Sequence, residues 1–462
     1  MRNFALRNRK DIMDMKRLIC LSFIIFHLSF LAQASVPEGR ASAAQVMTLA
    51  ECIRTGIERN LTVRQQDISI EKSRLGITQT QARLLPVIGA ALGVSDNLVS
   101  PVTVTGGTLL GNDFPDDITW QKVRSTQYQG SMSLEASLPL LDLTRTAAIS
   151  LAREMNSLAT MGREQAVETL TMQIARVYYL AQTTQQQARL TSENIQRMDE
   201  LCQIAEALYE RGVVLEIDVT RVHISQKSLG VLQRRYQMLY EQQLNMLRFL
   251  MNIERMDAFD VTPIASDIQD LDANGLNAML PELRINTQQQ TIIDRQMRQV
   301  RMGYLPRLSL VGSAGYTAFA ERLCDAHWFG SAVVGLRLSV PLFDAGEKRH
   351  RLHQLRLDAD RLRTANEQLT ASLNREYSDN LLLMRQNREA YQTQKENYRL
   401  AQDVYAVTME KYKEGIASMT ELLQDEIALR SAYTQCLDAH YQYNVARLSL
   451  LCLTGNLDVL TK

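Results

Sequence analysis

His350 and His353, three residues apart, come nearer than any other residues of this chain to a metal pair. On a helix that interval sets both imidazoles on one face, where a divalent cation could be shared. The basic run Lys348, Arg349, Arg351, Arg356, Arg361 and Arg363 surrounds them, however, and repels a cation. The pair therefore reads as a solvated face, and the run as ion pairs and solvation or as a contact for anionic headgroups. Cys52, Cys202, Cys324, Cys436 and Cys452 are widely spaced and odd in number. They form no disulfide framework and no metal spacing, and read as small buried apolar residues. The sequence has no nucleophile motif, phosphate loop, GxGxxG or HExxH. No catalysis, cofactor or metal is expected.

The elements that must position these residues are long. Only nine prolines and 6% aromatics in 462 residues point to extended helices rather than several small domains. Lys16 and Arg17, an apolar stretch over 18–31 and Ala32-Gln33-Ala34 have the order of a secretory signal cleaved after Ala34. The 14 residues before Met15 read as an upstream extension, and Cys20 sits at the front of the apolar stretch rather than just behind it, badly placed for lipid attachment. Six basic and two acidic residues precede Ser35, so 45 basic face 49 acidic residues beyond it and the balance is about minus four. That excludes a nucleic-acid binder. No later run of 18 apolar residues occurs, so any membrane span must be built from strands.

The chain repeats itself. SLPLLD from Ser137 returns as SVPLFD from Ser339, YERG from Tyr209 as YKEG from Tyr412, and LLPVIGA from Leu84 as YLPRLSL from Tyr304. Three matched landmarks in one order define a duplicated unit of helix, strand, strand, long helix and helix. The sequence predicts a leader over 1–34, a first repeat over 35–260 with strands near 87–97 and 128–138, a linker over 261–280, and a second repeat over 281–462 with strands near 307–317 and 328–340.

Residues 145–211 and 347–414 each fit one helix of about 100 Å, and Gly212 and Gly415 close them. Returning helices are expected over 218–255 and 421–453, and shorter ones over 48–85 and 281–305. Two short helices end to end would match one long one, with the break at the irregular segment from Val261.

Between Pro86 and Pro139, and between Pro306 and Pro341, the apolar period becomes two. Met132 and Leu134, Leu308 and Leu310, and Val334 and Leu336 fall on one face, with serines on the other. Four such strands of about ten residues suit a membrane β-barrel better than a soluble sandwich, since no second sheet is available to cover the apolar face. They cannot close alone, and a lipid-exposed sheet tolerates no free edge, so the chain must oligomerise. Pro139 with Asp142 and Pro341 with Asp344 then mark the exit turns from strand to helix. The loops near 97–127 and 317–327 face away from the helices.

This ordered, duplicated set, with MTLAECIRTGIERN at 47–60, resembles the TolC-like outer membrane efflux protein family over nearly the whole chain beyond the leader. The resemblance implies a homotrimer in which a twelve-stranded outer-membrane barrel continues into a periplasmic α-helical barrel. It implies an exit channel for efflux or type I secretion, working with a periplasmic adaptor (membrane fusion protein), an inner-membrane RND, ABC or MFS pump and outer-membrane lipid. By matching, Gly212, Val213 and Val214 with Gly415, Ile416 and Ala417 would meet the adaptor. Acidic side chains narrow the tunnel in some members; Asp403, Glu410 and Glu414 are nearby candidates, and none aligns cleanly. A structural periplasmic coiled-coil adaptor or spacer is the alternative, and it gives no reason for lipid-length amphipathic strands at matching places.

Overall fold

A reciprocal cap starts the helical part of the chain: Thr48 Oγ1 accepts the Glu51 amide, and the Glu51 carboxylate accepts the Thr48 amide. The computed structural model describes residues 45–99, 102–106, 120–124, 126–254, 259–264, 275–277, 279–322 and 325–461. The expected leader, Cys20, Cys324 and much of the loop before Gln127 lie outside the described residues. Contacts divide the chain into two units, 1–45 with 257–259 and 46–256 with 260–462. Of the first, only Gln45 and Phe259 are described; the second carries the helices and the main sheet.

In chain order the elements are β1 (Gln45–Met47), α1 (Leu49–Arg59), α2 (Leu61–Ala82), β2 (Val87–Asp96), β3 (Val102–Gly106), β4 (Trp120–Arg124), β5 (Tyr128–Leu141), α3 (Leu143–Glu210), α4 (Glu216–Met251), β6 (Phe259–Val261), α5 (Pro281–Met302), β7 (Arg307–Ala320), β8 (His327–Ser339), α6 (Glu347–Lys413) and α7 (Met419–Leu453), followed by a 3-10 turn at Leu457–Thr461. Helices α3 and α6 run 68 and 67 residues, about 100 Å each. Gly162 is carried inside α3 without a break.

Short helices do meet end to end, at joins other than the one expected. The helix expected over 48–85 is broken at Asn60, whose Oδ1 accepts the amides of Thr62 and Val63 at 2.7 and 3.3 Å while its Nδ2 donates to the Leu250 carbonyl at 2.7 Å. One side chain thus caps the start of α2 and satisfies an orphan carbonyl at the end of α4. In the second repeat the Asn277 amide donates to the Leu453 carbonyl at 3.0 Å, joining the approach to α5 to the end of α7. Along α3 lie α2 and α4, of 22 and 36 residues, and along α6 lie α5 and α7, of 22 and 35. Tyr178, 1% exposed, holds α3 to the flanking strands: its hydroxyl bonds the Met47 carbonyl and Thr262 Oγ1 at 2.9 and 2.6 Å.

The main sheet has the order β2-β5-β7-β8, antiparallel throughout. One row runs Ala90, Leu134, Ala314, Ala332; the next runs Leu92, Met132, Tyr316, Gly330; a third runs Leu138, Leu310, Leu336. All six expected apolar-face residues therefore share one side with Ile88, Val94 and Trp328, and Ser131, Ser133, Glu135, Ser313 and Arg337 share the other. Three of the strands exceed the ten residues expected, at 14, 14 and 13. Pro139 does not end β5: the strand continues to Leu141 through a register shift, which accommodates a residue that cannot donate to the ladder. Within the segment read as a loop, β3 and β4 form an added antiparallel hairpin.

Candidate functional site

Both ends of the repeated unit carry a built feature. At the strand end, Asp142 caps α3, its Oδ1 accepting the amides of Thr144 and Arg145 at 3.0 and 3.2 Å. Asp344 makes the equivalent turn differently. Two extra residues, Ala345 and Gly346, both take positive φ, at 51° and 83°, and Asp344 accepts Lys348 Nζ at 2.8 Å and the Gly346 amide at 3.2 Å. The Lys348 hydrogen bond, the backbone amides of Gly346 and Lys348, and the Lys348 charge hold the Asp344 carboxyl below the usual carboxylate range. Within the basic run below this turn, Arg361 pairs with Asp358 at 3.5 Å and Arg363 with Asp360 at 3.3 Å on the same helix. His350 lies beside Gly346, and among the described residues no group of three His, Cys, Asp or Glu side chains could hold a metal ion.

At the far end both hairpins close with the same motif. The Gly212 amide bonds the Tyr209 carbonyl and the Val213 amide that of Leu208, at 2.8 and 2.9 Å; Gly415 and Ile416 repeat this with Tyr412 and Lys411 at 3.0 and 2.8 Å. These paired bonds satisfy the last helical carbonyls and need a left-handed residue, which Gly212 and Gly415 supply at φ 72° and 76°. Added β-carbons would meet nothing within 4 Å at either glycine. Val213 and Ile416 are exposed, as are Leu215 and Ile217, while Val214 and Ala417 are half-buried. Arg221 ties the tips together, bonding Asp218 at 3.1 Å and Thr420 Oγ1 at 3.2 Å.

The two tip tyrosines differ. Tyr209 is 46% exposed, whereas Tyr412 is 2% exposed within an apolar cluster that includes Met198, Leu229, Tyr405, Met419 and Leu422. Asp403 and Glu410 fall on one exposed stripe of α6, which Glu414 continues just past its end, with Glu410 paired to Lys413 at 2.8 Å; nothing brings the three together around a point. Sequence reasoning missed Glu426 and the Cys202–His223 contact. Glu426 is 6% exposed beside the tips, and neither carboxylate oxygen has a hydrogen-bond partner, so burial pushes its pKa up. Its position among Leu422, Leu429 and Met419 at helical spacing was the available signal.

A sequence model of the family described as "Outer membrane efflux protein" matches residues 53–252 and 279–456. The chain is 22% identical over 400 residues to the toluene efflux pump outer membrane protein TtgC of Pseudomonas putida, covering 83% of this chain and 78% of that one. It is 28% identical over 171 residues to the alkaline protease secretion protein AprF of Pseudomonas aeruginosa, covering 35% and 34%. Its fold is similar to the open state of the MtrE outer membrane channel of Neisseria gonorrhoeae, with a TM-score of 0.66 at 20% identity and 90% of each chain covered. The CmeC outer membrane channel of Campylobacter jejuni gives 0.68 at 14% identity, covering 91% of this chain and 90% of that one. The chain belongs to the outer membrane efflux protein family, and is a non-catalytic exit channel of the outer membrane, extending into the periplasm.

Proposed function

We propose that three copies of this chain join their sheets into one twelve-stranded barrel, and that the hairpin tips dock a periplasmic adaptor fed by an inner-membrane pump of the RND, ABC or MFS class. One observation carries the assembly: β2 and β8 each pair on one side only within the main sheet, beneath a face on which Ile88, Leu92, Val94, Leu134, Val334, Leu336 and Leu338 are all more than half exposed. Unpaired strand edges are not stable in lipid. Because the strands alternate in direction, β8 of one copy runs antiparallel to β2 of the next, and a ring closes for any whole number of copies. Eight strands is the lower bound for such barrels, so two copies are the minimum; the family resemblance favours three. Tyr128, Tyr316 and Trp328 near the end away from the helices suit an aromatic girdle. The face bearing Glu135, Arg337 and the serines would line the lumen.

Native mass spectrometry of protein extracted from outer membranes tests the assembly. A mass of three chains is expected, with ion conductance in planar bilayers; a stable monomer, or a conducting dimer, refutes the barrel proposed. The names of the similar proteins, a toluene efflux pump component and an alkaline protease secretion component, support small-molecule efflux and protein secretion respectively. The longer match supports efflux.

A further inference from the structure

We infer that Cys202 and His223 form a binding site for a soft, thiophilic monovalent cation, of which Cu(I) is the representative, bridging α3 and α4 just short of the first hairpin tip. The two residues stand 21 apart in sequence and meet only because the hairpin folds back at Gly212. Cys202 Sγ lies 3.8 Å from His223 Nδ1, and His223 Nε2 lies 3.1 Å from Glu206 Oε1. An ionised carboxylate can only accept, so Nε2 must carry the proton. In the neutral ring that leaves Nδ1 as a bare lone pair aimed at the sulfur. A metal-binding histidine is ordinarily held this way, its second nitrogen donating to a carboxylate that fixes the tautomer and raises ligand basicity.

The separation fits a metal bridge. Bonds of about 2.3 Å to thiolate and about 2.05 Å to imidazole span roughly 3.5 Å at a tetrahedral angle and roughly 4.4 Å when straight. The observed 3.8 Å corresponds to about 120°, a trigonal arrangement with its third position open to a small ligand from solution. Zinc prefers four donors in its structural sites, and no three-residue cage of His, Cys, Asp or Glu occurs among the described residues. Thiolate with imidazole and few ligands favours Cu(I). The local field agrees: the Glu206 and Asp199 carboxylates near Cys202 are charges that welcome a cation. Binding is an exchange in which the cation takes the sulfur lone pair and the thiol proton leaves to water. Cys202 is buried, but His223 is 42% exposed at its side chain, which gives the ion its approach.

The test is an anaerobic titration of the purified full-length protein with Cu(I) in competition with bicinchoninate, on variants whose trimers are first verified by gel. The wild-type protein is expected to hold one Cu(I) per chain that Cys202→Ser does not. Glu206→Gln, which keeps a hydrogen-bond acceptor but removes the charge, is expected to weaken affinity by about 10–100-fold, and His223→Phe by more. Equal stoichiometry in wild type and Cys202→Ser overturns the site. So does unchanged affinity in both His223→Phe and Glu206→Gln, which would leave a thiol binding alone, and so does Zn(II) binding as tightly as Cu(I) at the same position.

Discussion

Arginine placed along the apolar face of the sheet measures its depth in lipid. Strand β5 has 14 residues; at about 3.4 Å each and a tilt near 40° it covers roughly 36 Å of height, enough to cross an apolar band of about 25 Å. Leu134 sits at its middle, in the row with Ala90, Ala314 and Ala332. Val334 belongs to the Ala136 row, two residues toward the helices, and Leu336 to the Leu138 row, four residues toward them. Those steps are about 7 and 14 Å along the strands. Reading periodicity alone would put Leu134 and Leu336 at one depth; the register separates them. Leu134→Arg is expected to cost about 2–4 kcal/mol per chain, and Leu336→Arg about 0–1 kcal/mol, since the penalty fades toward the interface. Val334→Arg should fall between. Ser133→Arg, on the opposite face, should lie within about 0.5 kcal/mol of wild type. Guanidinium unfolding from lipid vesicles, followed through Trp328 on the same face, gives each value. A Leu336→Arg cost equal to that of Leu134→Arg, or a Ser133→Arg cost of 2 kcal/mol, would falsify the assignment of faces and depth.

Gly212→Val and Gly415→Val should each strain a left-handed position by about 1–2 kcal/mol in a tip with open space around it, abolishing pump-coupled export while trimers stay intact on gels; lost trimers with retained coupling would count against docking at the tips. Gly56→Leu should destabilise the chain by about 1–3 kcal/mol, because a β-carbon there would lie 2.4 Å from Ile174 Cδ1; thermal melting of the extracted protein measures it. Glu426 has a raised folded pKa, so its contribution is full below the ordinary carboxylate value of 4.5 and is lost as pH rises through the folded value. Glu426→Gln should therefore gain roughly 1–3 kcal/mol over wild type at neutral pH and nothing at pH 4; an equal gain at both would show that the charge is not the cause.

Much of the architecture was legible because it is periodic. Alternation named the apolar face of four strands, and the scarcity of breakers, Gly162 alone over 145–211 and no glycine or proline over 347–414, named the long helices to within a few residues. What stayed hidden depends on a partner far along the chain. Asn60 reads as an ordinary polar residue until the Leu250 carbonyl arrives to share it. Strands β3 and β4, of five residues each, are too short for their alternation to stand out from turn-forming neighbours. Cys202 and His223 had no spacing to announce them, because their distance is set by where the hairpin bends. The tip glycines were found from sequence since their requirement, a left-handed backbone, is local.

The insertion of Ala345 and Gly346 has a consequence for symmetry. From the first helical residue to the tip glycine the first repeat counts one residue more than the second, and one residue turns a helix by about 100°. The copies also differ where the count agrees: Tyr209 and Tyr412 each stand three residues before their tip glycine, yet the first is in solvent and the second in a core. The duplicated gene has not produced a duplicated surface. A docking partner that engages both tips of one chain meets two unlike footholds, one with a phenol beside aliphatic side chains and one aliphatic with its phenol withdrawn, and must itself offer two kinds of grip.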